Sequence, residues 1–171
     1  MTEKMVSRID ENVLVLERVF DAPRELVFRT FSEAEHLKHW WGPKGWALTH
    51  CDIDFRVGGK WHFCMTCQDK AQEYYGMESW GLAVYSNIVD IERIDYLDSF
   101  SDKDGNVAEN MPETNVAITF LDYENGKTKI VNRAEYVSPE ALQTVIDMGM
   151  MAGISETWDN LDSYLDTLKQ G

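Results

Sequence analysis

The sequence predicts an α+β fold in which a curved antiparallel sheet of about six to seven strands carries two short helices and a long C-terminal helix. Three observations support this prediction: alternating apolar residues from 46 to 137, an Asn-Gly turn between two alternating segments, and a helical apolar arc over residues 142–168. No repeat or low-complexity tract interrupts the chain. We therefore expect a single domain over residues 1–171, with its core at about 13–168.

The N-terminal part is predicted to contribute one strand and two short helices. Residues 13–20, VLVLERVF, form a β-branched and apolar run that is typical of a strand. Asp21-Ala-Pro23 ends the run, and the proline suits the first turn of a helix. Residues 33–41 read as a second short helix, which Gly42-Pro43 ends. Glu17 and Arg18 are adjacent in the first strand, so one of them should face inward or lie at an edge.

The central part is predicted to be a series of antiparallel strands. A glycine turn at residues 56–59 separates two of them, and Asn125-Gly126 is the strongest hairpin signal in the chain. The predicted strands in this part span residues 46–55, 60–65, 78–90, 94–101, 115–123 and 127–137.

Residues from 138 onward are predicted to form one long amphipathic helix. Ser138 suits the N-cap, and Pro139 and Glu140 suit the first turn. At about 100° per residue, one broad apolar arc contains Thr157 as its small polar member. The apolar members of the arc are Leu142, Ile146, Met150, Gly153, Ile154, Leu161, Tyr164, Leu165 and Leu168. We expect this helix to lie across the concave face of the sheet and to leave a cavity between them.

The charge of the chain restricts the classes of partner. There are 30 Asp and Glu residues against 16 Lys and Arg residues, which gives a formal charge of -14. Such an excess repels phosphate backbones, so we expect no nucleic-acid partner. No apolar run is long enough to span a membrane, and no signal peptide is recognisable at the N-terminus. With three cysteines that cannot form a closed disulfide set, these features predict a cytoplasmic setting.

Catalytic and metal-binding motifs are not recognisable in the sequence. It contains no G-x-S-x-G, no phosphate-binding glycine loop and no H-E-x-x-H, so neither a cofactor nor a catalytic residue is predicted. Cys64 and Cys67 form a lone C-x-x-C at the end of a predicted strand, without the second pair that a zinc site needs. We expect no metal, and whether the protein is an enzyme stays open.

Alternation within the strands and the helical arc select candidates for the cavity wall. Asn132 and Thr157 would be rare polar groups there, and each either bonds to neighbouring backbone or orients the polar end of a ligand. Trp40, Trp41 and Trp46 are expected chiefly to seal the short helices against the sheet, with Trp41 also at the cavity mouth. The full candidate set is Trp41, Trp61, Phe63, Phe120, Asn132, Tyr136, Met150, Gly153, Ile154, Thr157 and Leu161.

Several motifs resemble one known family. They are ERVFDAPRELVFRTFSEAEHLKHWWGP, DFRVGGKWHF, DSFSDKDGNV and GMMAGISETWDNLDSYL, in this order along the chain. They resemble the homologues of the activator of the heat-shock protein 90 ATPase, within the SRPBCC superfamily of START-like, birch-pollen-allergen-like helix-grip domains. Two positions depart from the family pattern: Ile154 replaces a usual tryptophan and Trp158 a usual leucine. The cavity should therefore differ in shape from those of its relatives.

Three functions follow: the apolar arc of residues 142–168 and the inward-facing aromatic residues of the sheet favour the first, and the resemblance implies the other two. The first is non-covalent binding of a small hydrophobic molecule, such as a lipid or polyketide, between the sheet and the C-terminal helix. The second is a chaperone-interaction module that stimulates an ATPase. The third is a cyclase or dehydratase that uses an acid and a tyrosine, such as Tyr136, in the same cavity. The open edges of the sheet also make a homodimer a possible assembly.

Overall fold

An eight-stranded antiparallel sheet and four helices organise the part of the chain, residues 5–170, that the computed structural model describes. The strands are β1 Val6–Asp10, β2 Val13–Phe20, β3 Trp46–Ile53, β4 Lys60–Cys67, β5 Glu78–Val89, β6 Arg93–Phe100, β7 Thr114–Tyr123 and β8 Lys127–Tyr136. The helices are α1 Arg24–Ser32, α2 Ala34–Trp40, α3 Pro139–Asp147 and α4 Met150–Gln170. The predicted α+β class, with a curved antiparallel sheet and a long C-terminal helix, is confirmed.

The sheet has the strand order β1-β2-β8-β7-β6-β5-β4-β3, and every neighbouring pair is antiparallel. β1 and β3 are its two edges, so the sheet does not close into a barrel. The turn between β7 and β8 is a three-residue segment, Glu124–Gly126, in which Asn125 and Gly126 of the predicted pair adopt positive φ angles of 59° and 76°. This conformation is the reason why Asn-Gly predicts a hairpin.

The prediction of six to seven strands missed β1. All five of its residues are exposed, and it pairs only with β2 at the edge of the sheet. Because neither face of such a strand enters a core, its sequence, VSRID, has no apolar alternation that could reveal it.

The prediction of one uninterrupted C-terminal helix was wrong. The Ser138 hydroxyl accepts a hydrogen bond from the Ala141 backbone N–H at 3.1 Å, so the helix begins where expected. It ends at Asp147, and α4 begins at Met150. Gly149, between the two helices, has a φ of +90°, which is the left-handed conformation that ends helices and favours glycine.

Arg18 connects the sheet to α4. Its side chain is 6% exposed, and its guanidinium lies 2.7 Å from Asp159 and 3.6 Å from Asp162, both on α4. Glu17, on the opposite face of β2, instead lies 3.8 Å from Arg8 and 3.4 Å from Lys129. Arg18 is therefore the inward-facing member of the adjacent pair.

The two short helices close one end of the sheet. Phe31 of α1 packs edge-on against Phe120 at 5.3 Å, and the Trp40 indole donates a hydrogen bond to the Thr30 carbonyl at 2.9 Å. Trp40 is 2% exposed and belongs to this core, whereas Trp46 lies apart from it, beside Tyr74. A helix with the length and hydropathy of a membrane span is not found among residues 5–170.

Candidate functional site

A cavity of about 400 Å³ lies between the sheet and the two C-terminal helices. Five consecutive strands of the sheet, from β4 through to β8, contribute to its wall, and β2 and the end of α1 add to it. Val145 of α3 and residues 150–158 of α4 form the roof. This volume is within the range of sites that hold one small organic molecule.

The cavity reaches the surface at the junction of α3 and α4. Met148 and Gly149 line it, and both are exposed, Met148 to 56%. Pro112, from the loop before β7, is half-buried and also lines the cavity. The break between the two helices is thus also the mouth of the cavity.

Most of the residues proposed from the sequence lie on the cavity wall. They are Trp41, Phe63, Asn132, Tyr136, Met150, Gly153, Ile154 and Thr157. Trp61, Phe120 and Leu161 do not line it: Phe120 and Leu161 are fully buried in the core, and Trp61 is 3% exposed. The Trp61 ring stacks on Phe63 at 4.4 Å and meets Trp41 edge-on at 4.8 Å, so it supports two wall residues from behind.

Asp98 of β6 is a wall residue that the sequence analysis did not select. It is half-buried and lines the cavity, and desolvation by the surrounding protein raises the pKa of its carboxyl from 3.8 to about 7. Alternation along β6 could have predicted this position. Ile94 and Tyr96 are both buried, and Asp98, two residues after Tyr96, lies on the same face of the strand.

Asp98, Thr114 and Tyr136 form one row across three adjacent strands. Asp98 pairs in register with Thr114, and Thr114 pairs with Tyr136. Side chains of directly opposed residues lie about 5 Å apart at Cβ, so the carboxyl and the two hydroxyls point into one region of the cavity. Burial also raises the phenol pKa of Tyr136 and, more strongly, that of Tyr96, which keeps both phenols protonated.

The two polar candidates differ in their hydrogen bonds. The Thr157 hydroxyl donates to the Gly153 carbonyl at 2.8 Å, one turn back along α4, so it is satisfied by backbone. Asn132 is 8% exposed and lines the cavity, and its side-chain amide has no hydrogen bond to a residue in the described range. Through Ile118, Asn132 is in register with Ile94, which lies four residues before Asp98 on β6. Asn132 is therefore roughly 13 Å along the sheet from the row of Asp98, Thr114 and Tyr136.

Three tryptophans, Trp41, Trp80 and Trp158, line the cavity. Trp41 is half-buried, and its indole N–H is buried without a hydrogen-bond partner among the described residues. Trp158, which the sequence analysis left out of the arc, is 2% exposed, lines the cavity and packs edge-on against Phe20 at 5.9 Å. Its spacing of four residues from Ile154 could have placed it there.

The charge on the cavity wall comes from one residue. Of the described residues that line the cavity, Asp98 is the only Asp, Glu, Lys, Arg or His. The rest are apolar, aromatic or neutral polar, so an occupant meets an apolar surface with one acidic position.

An open antiparallel sheet that holds a C-terminal helix over a cavity defines the helix-grip class of α+β domains. Within that class, the model of the family described as Activator of Hsp90 ATPase homolog 1-like protein matches residues 21–166. The chain therefore belongs to this family, which confirms the resemblance seen in the sequence.

Solved structures from several bacteria have the same fold. Ms6760 from Mycobacterium smegmatis is 27% identical, with a TM-score of 0.83 over 96% of this chain and 97% of that chain. A protein from Staphylococcus epidermidis is 25% identical, with a TM-score of 0.81 over 95% and 94%. One from Arthrobacter aurescens is 24% identical, with a TM-score of 0.84 over 95% and 91%, which shows the fold alone. No protein with a curated description matches the sequence.

Proposed function

We propose that this protein binds one small, largely apolar molecule in the cavity between the sheet and α4, without covalent chemistry. The observation that carries the proposal is the cavity itself, about 400 Å³ in volume with a mouth at Met148 and Gly149. A well-packed domain core leaves few voids larger than a water molecule, so a space of this size needs an occupant or a function.

The composition of the wall supports an apolar ligand with a limited number of polar groups. Phe63, Ile118 and Trp158 are wall residues whose burial against a ligand would supply most of the binding free energy. Asn132 and the row at Asp98 are the polar positions that would fix its orientation. This arrangement of an apolar wall and a few convergent polar groups is typical of small-molecule sites.

Gly153 offers a direct test because it lines the cavity and a side chain can be added there. A Cβ at this position would meet only the Pro43 Cβ, at 3.9 Å. In Gly153→Trp the indole should occupy the cavity and weaken binding of the neutral fluorescent dye Nile red by about tenfold or more, equivalent to about 1.4 kcal/mol. Fluorescence titration measures this change.

The matched control is Gly153→Ala. Its single methyl group leaves most of the cavity open, so the affinity for Nile red should change little. The substitution should also raise the free energy of unfolding by up to about 1 kcal/mol, because alanine is the better helix former. Saturable dye binding that Gly153→Trp leaves unchanged, or no saturable binding to the unmodified protein, would refute the proposed site.

Two alternatives from other classes remain. A chaperone-interaction module is supported by the family name. If the protein does not change the ATPase rate of the chaperone, this alternative is refuted. A cyclase or dehydratase is supported by the presence of an acid and a tyrosine, Asp98 and Tyr136, in one row. Turnover that survives Asp98→Asn would refute that second alternative.

The single domain over residues 1–171, the homodimer and the cytoplasmic setting stay predictions.

A further inference from the structure

The polar end of the cavity contains hydrogen-bond acceptors grouped around one acid. Asp98, Thr114 and Tyr136 lie in one row, and the Asp98 carboxyl accepts a hydrogen bond from the Ser99 backbone N–H but none from another side chain of the described residues. A carboxylate only accepts hydrogen bonds, and each hydroxyl has lone pairs that can accept as well. A group that donates several hydrogen bonds therefore matches this row.

The charge of the cavity wall indicates which kind of hydrogen-bond donor fits the row. Because no Lys, Arg or His among the described residues lines the cavity, the Asp98 carboxylate has no counter-ion there. An anionic head group would be repelled by Asp98 and would find no basic partner. A cationic head group would supply the missing counter-ion within a region of low dielectric constant, where such a pair is strong.

Aromatic rings and the overall charge favour the same occupant. Tyr96 lies two residues from Asp98 on the same face of β6, Trp41 also lines the cavity, and aromatic rings attract cations in desolvated sites. The whole chain carries a formal charge of -14, which raises the local concentration of cations at its surface.

We propose that the cavity binds an amphipathic amine, in which a protonated nitrogen pairs with Asp98 and an apolar body extends toward Asn132. This inference rests on the proposed function and specifies the ligand class of the same site. The row and Asn132 are separated by four strand residues, or roughly 13 Å at about 3.3 Å for each residue, which leaves room for an extended apolar chain.

Protonation of Asp98 should compete with the amine. The titratable groups that face Asp98 are Tyr96 on its own strand and Tyr136 on β8, and both stay neutral because burial raises their phenol pKa. The parts of α3, α4 and β4 that line the cavity add no titratable group. With the carboxyl pKa near 7, the free cavity holds a carboxylate at pH 8 and a neutral acid at pH 6.

The experiment compares three probes that share one carbon skeleton: decylamine, decanol and decanoate. Each is used below its micelle concentration to displace Nile red from the protein at pH 8, where a primary alkylamine is still protonated. Decylamine should bind about tenfold more tightly than decanol, because a charge-assisted hydrogen bond replaces a neutral one, and decanoate should bind most weakly. The affinity for decylamine should fall about tenfold between pH 8 and pH 6, while that for decanol stays level.

Asp98→Asn should lower the affinity for decylamine to that for decanol and abolish the pH dependence of decylamine binding. The matched control is Asp90→Asn, which removes the same charge from an exposed turn outside the cavity and should preserve both effects. Decylamine binding no tighter than decanol or decanoate, an advantage that survives Asp98→Asn, or tighter binding at low pH would overturn the inference. If Nile red still binds and Gly153→Trp still blocks it, the proposed function stands when the amine inference fails.

Discussion

Asp98 is the residue whose environment changes its chemistry most clearly. An ordinary aspartate is ionised at neutral pH, but burial beside an apolar cavity raises the pKa of Asp98 to about 7. The unfolded chain releases this proton near pH 4, so between pH 4 and pH 7 the folded state holds one more proton than the unfolded state. The contribution of Asp98 to the free energy of unfolding should therefore decrease as the pH rises from about 4 to about 7.

Asp98→Asn should remove that loss, because asparagine has no proton to release. A pKa that moves from 3.8 to about 7 corresponds to at most about 4 kcal/mol. We expect the variant to be more stable than the unmodified protein at pH 8, and this difference should shrink on going to pH 5. Urea unfolding at the two pH values measures it, and an equal difference at both values would show that Asp98 titrates normally.

The wall residues that alternation reveals could be predicted from the sequence, and those that depend on three-dimensional packing could not. Alternation along β4 and β8 places Phe63 and Tyr136 on the inner face of the sheet, and both lie on the cavity wall. Trp61 and Phe120 have the same parity as their wall neighbours, but other aromatic rings cover them. Parity tells which face a side chain is on, whereas its distance from the cavity depends on what packs over it.

At the scale of elements, α4 has two different roles along its length. Gly153, Ile154 and Trp158 in its first half form part of the cavity roof. In its second half Asp159 and Asp162 hold Arg18 of β2, and Leu165 is buried in the core. The helix is therefore attached to the sheet beyond the cavity, and the roof continues from this attachment toward the mouth.

The junction of α3 and α4 depends on glycine at position 149. Its φ of +90° is strained for any residue with a Cβ, although no neighbouring atom within 4 Å would meet that Cβ. Gly149→Ala should therefore lower the free energy of unfolding by about 1–2 kcal/mol through backbone strain alone.

Gly153→Ala, four residues along the same chain, is the control with the opposite sign, because position 153 is inside a helix and has no such strain. Urea unfolding of the two variants measures both changes. Equal effects of the two alanines would contradict a special backbone conformation at Gly149.

The element boundaries show where sequence patterns are sufficient. Ser138 and the Asn-Gly pair specify local geometry through their own hydrogen bonds and φ angles, so the start of α3 and the β7–β8 turn were predictable. The break at Gly149 was hidden because the apolar arc continues on both sides of it, from Leu142 to Leu165. β1 was hidden because an exposed edge strand carries no burial pattern.

At the scale of the whole molecule, the open sheet with its C-terminal helices was predictable from the order and length of the periodic segments. The cavity was expected as a consequence of that architecture, but its single charge was not. Asp98 is one of 30 acidic residues, and composition alone does not separate it from those on the surface. Only its position among buried neighbours does so.

The formal charge of -14 also leads to an expectation for the whole molecule. Because affinity for DNA comes mainly from Lys and Arg that neutralise phosphates, we expect no retardation of duplex DNA in a gel-shift assay at about 0.15 M salt. Retardation that weakens as salt is added would reveal a basic surface that outweighs this charge.

The location of the cavity mouth has a consequence for how such a protein can change over time. The opening is formed by the short connection around Met148 and Gly149, whereas the acid that would recognise a guest belongs to a central strand. Substitutions in the connection would alter how fast guests come and go, and substitutions in the strand would alter which guests are retained. The rates of guest entry and release therefore depend on one stretch of the chain and the choice of guest on another. Substitutions can change one property while the other is conserved.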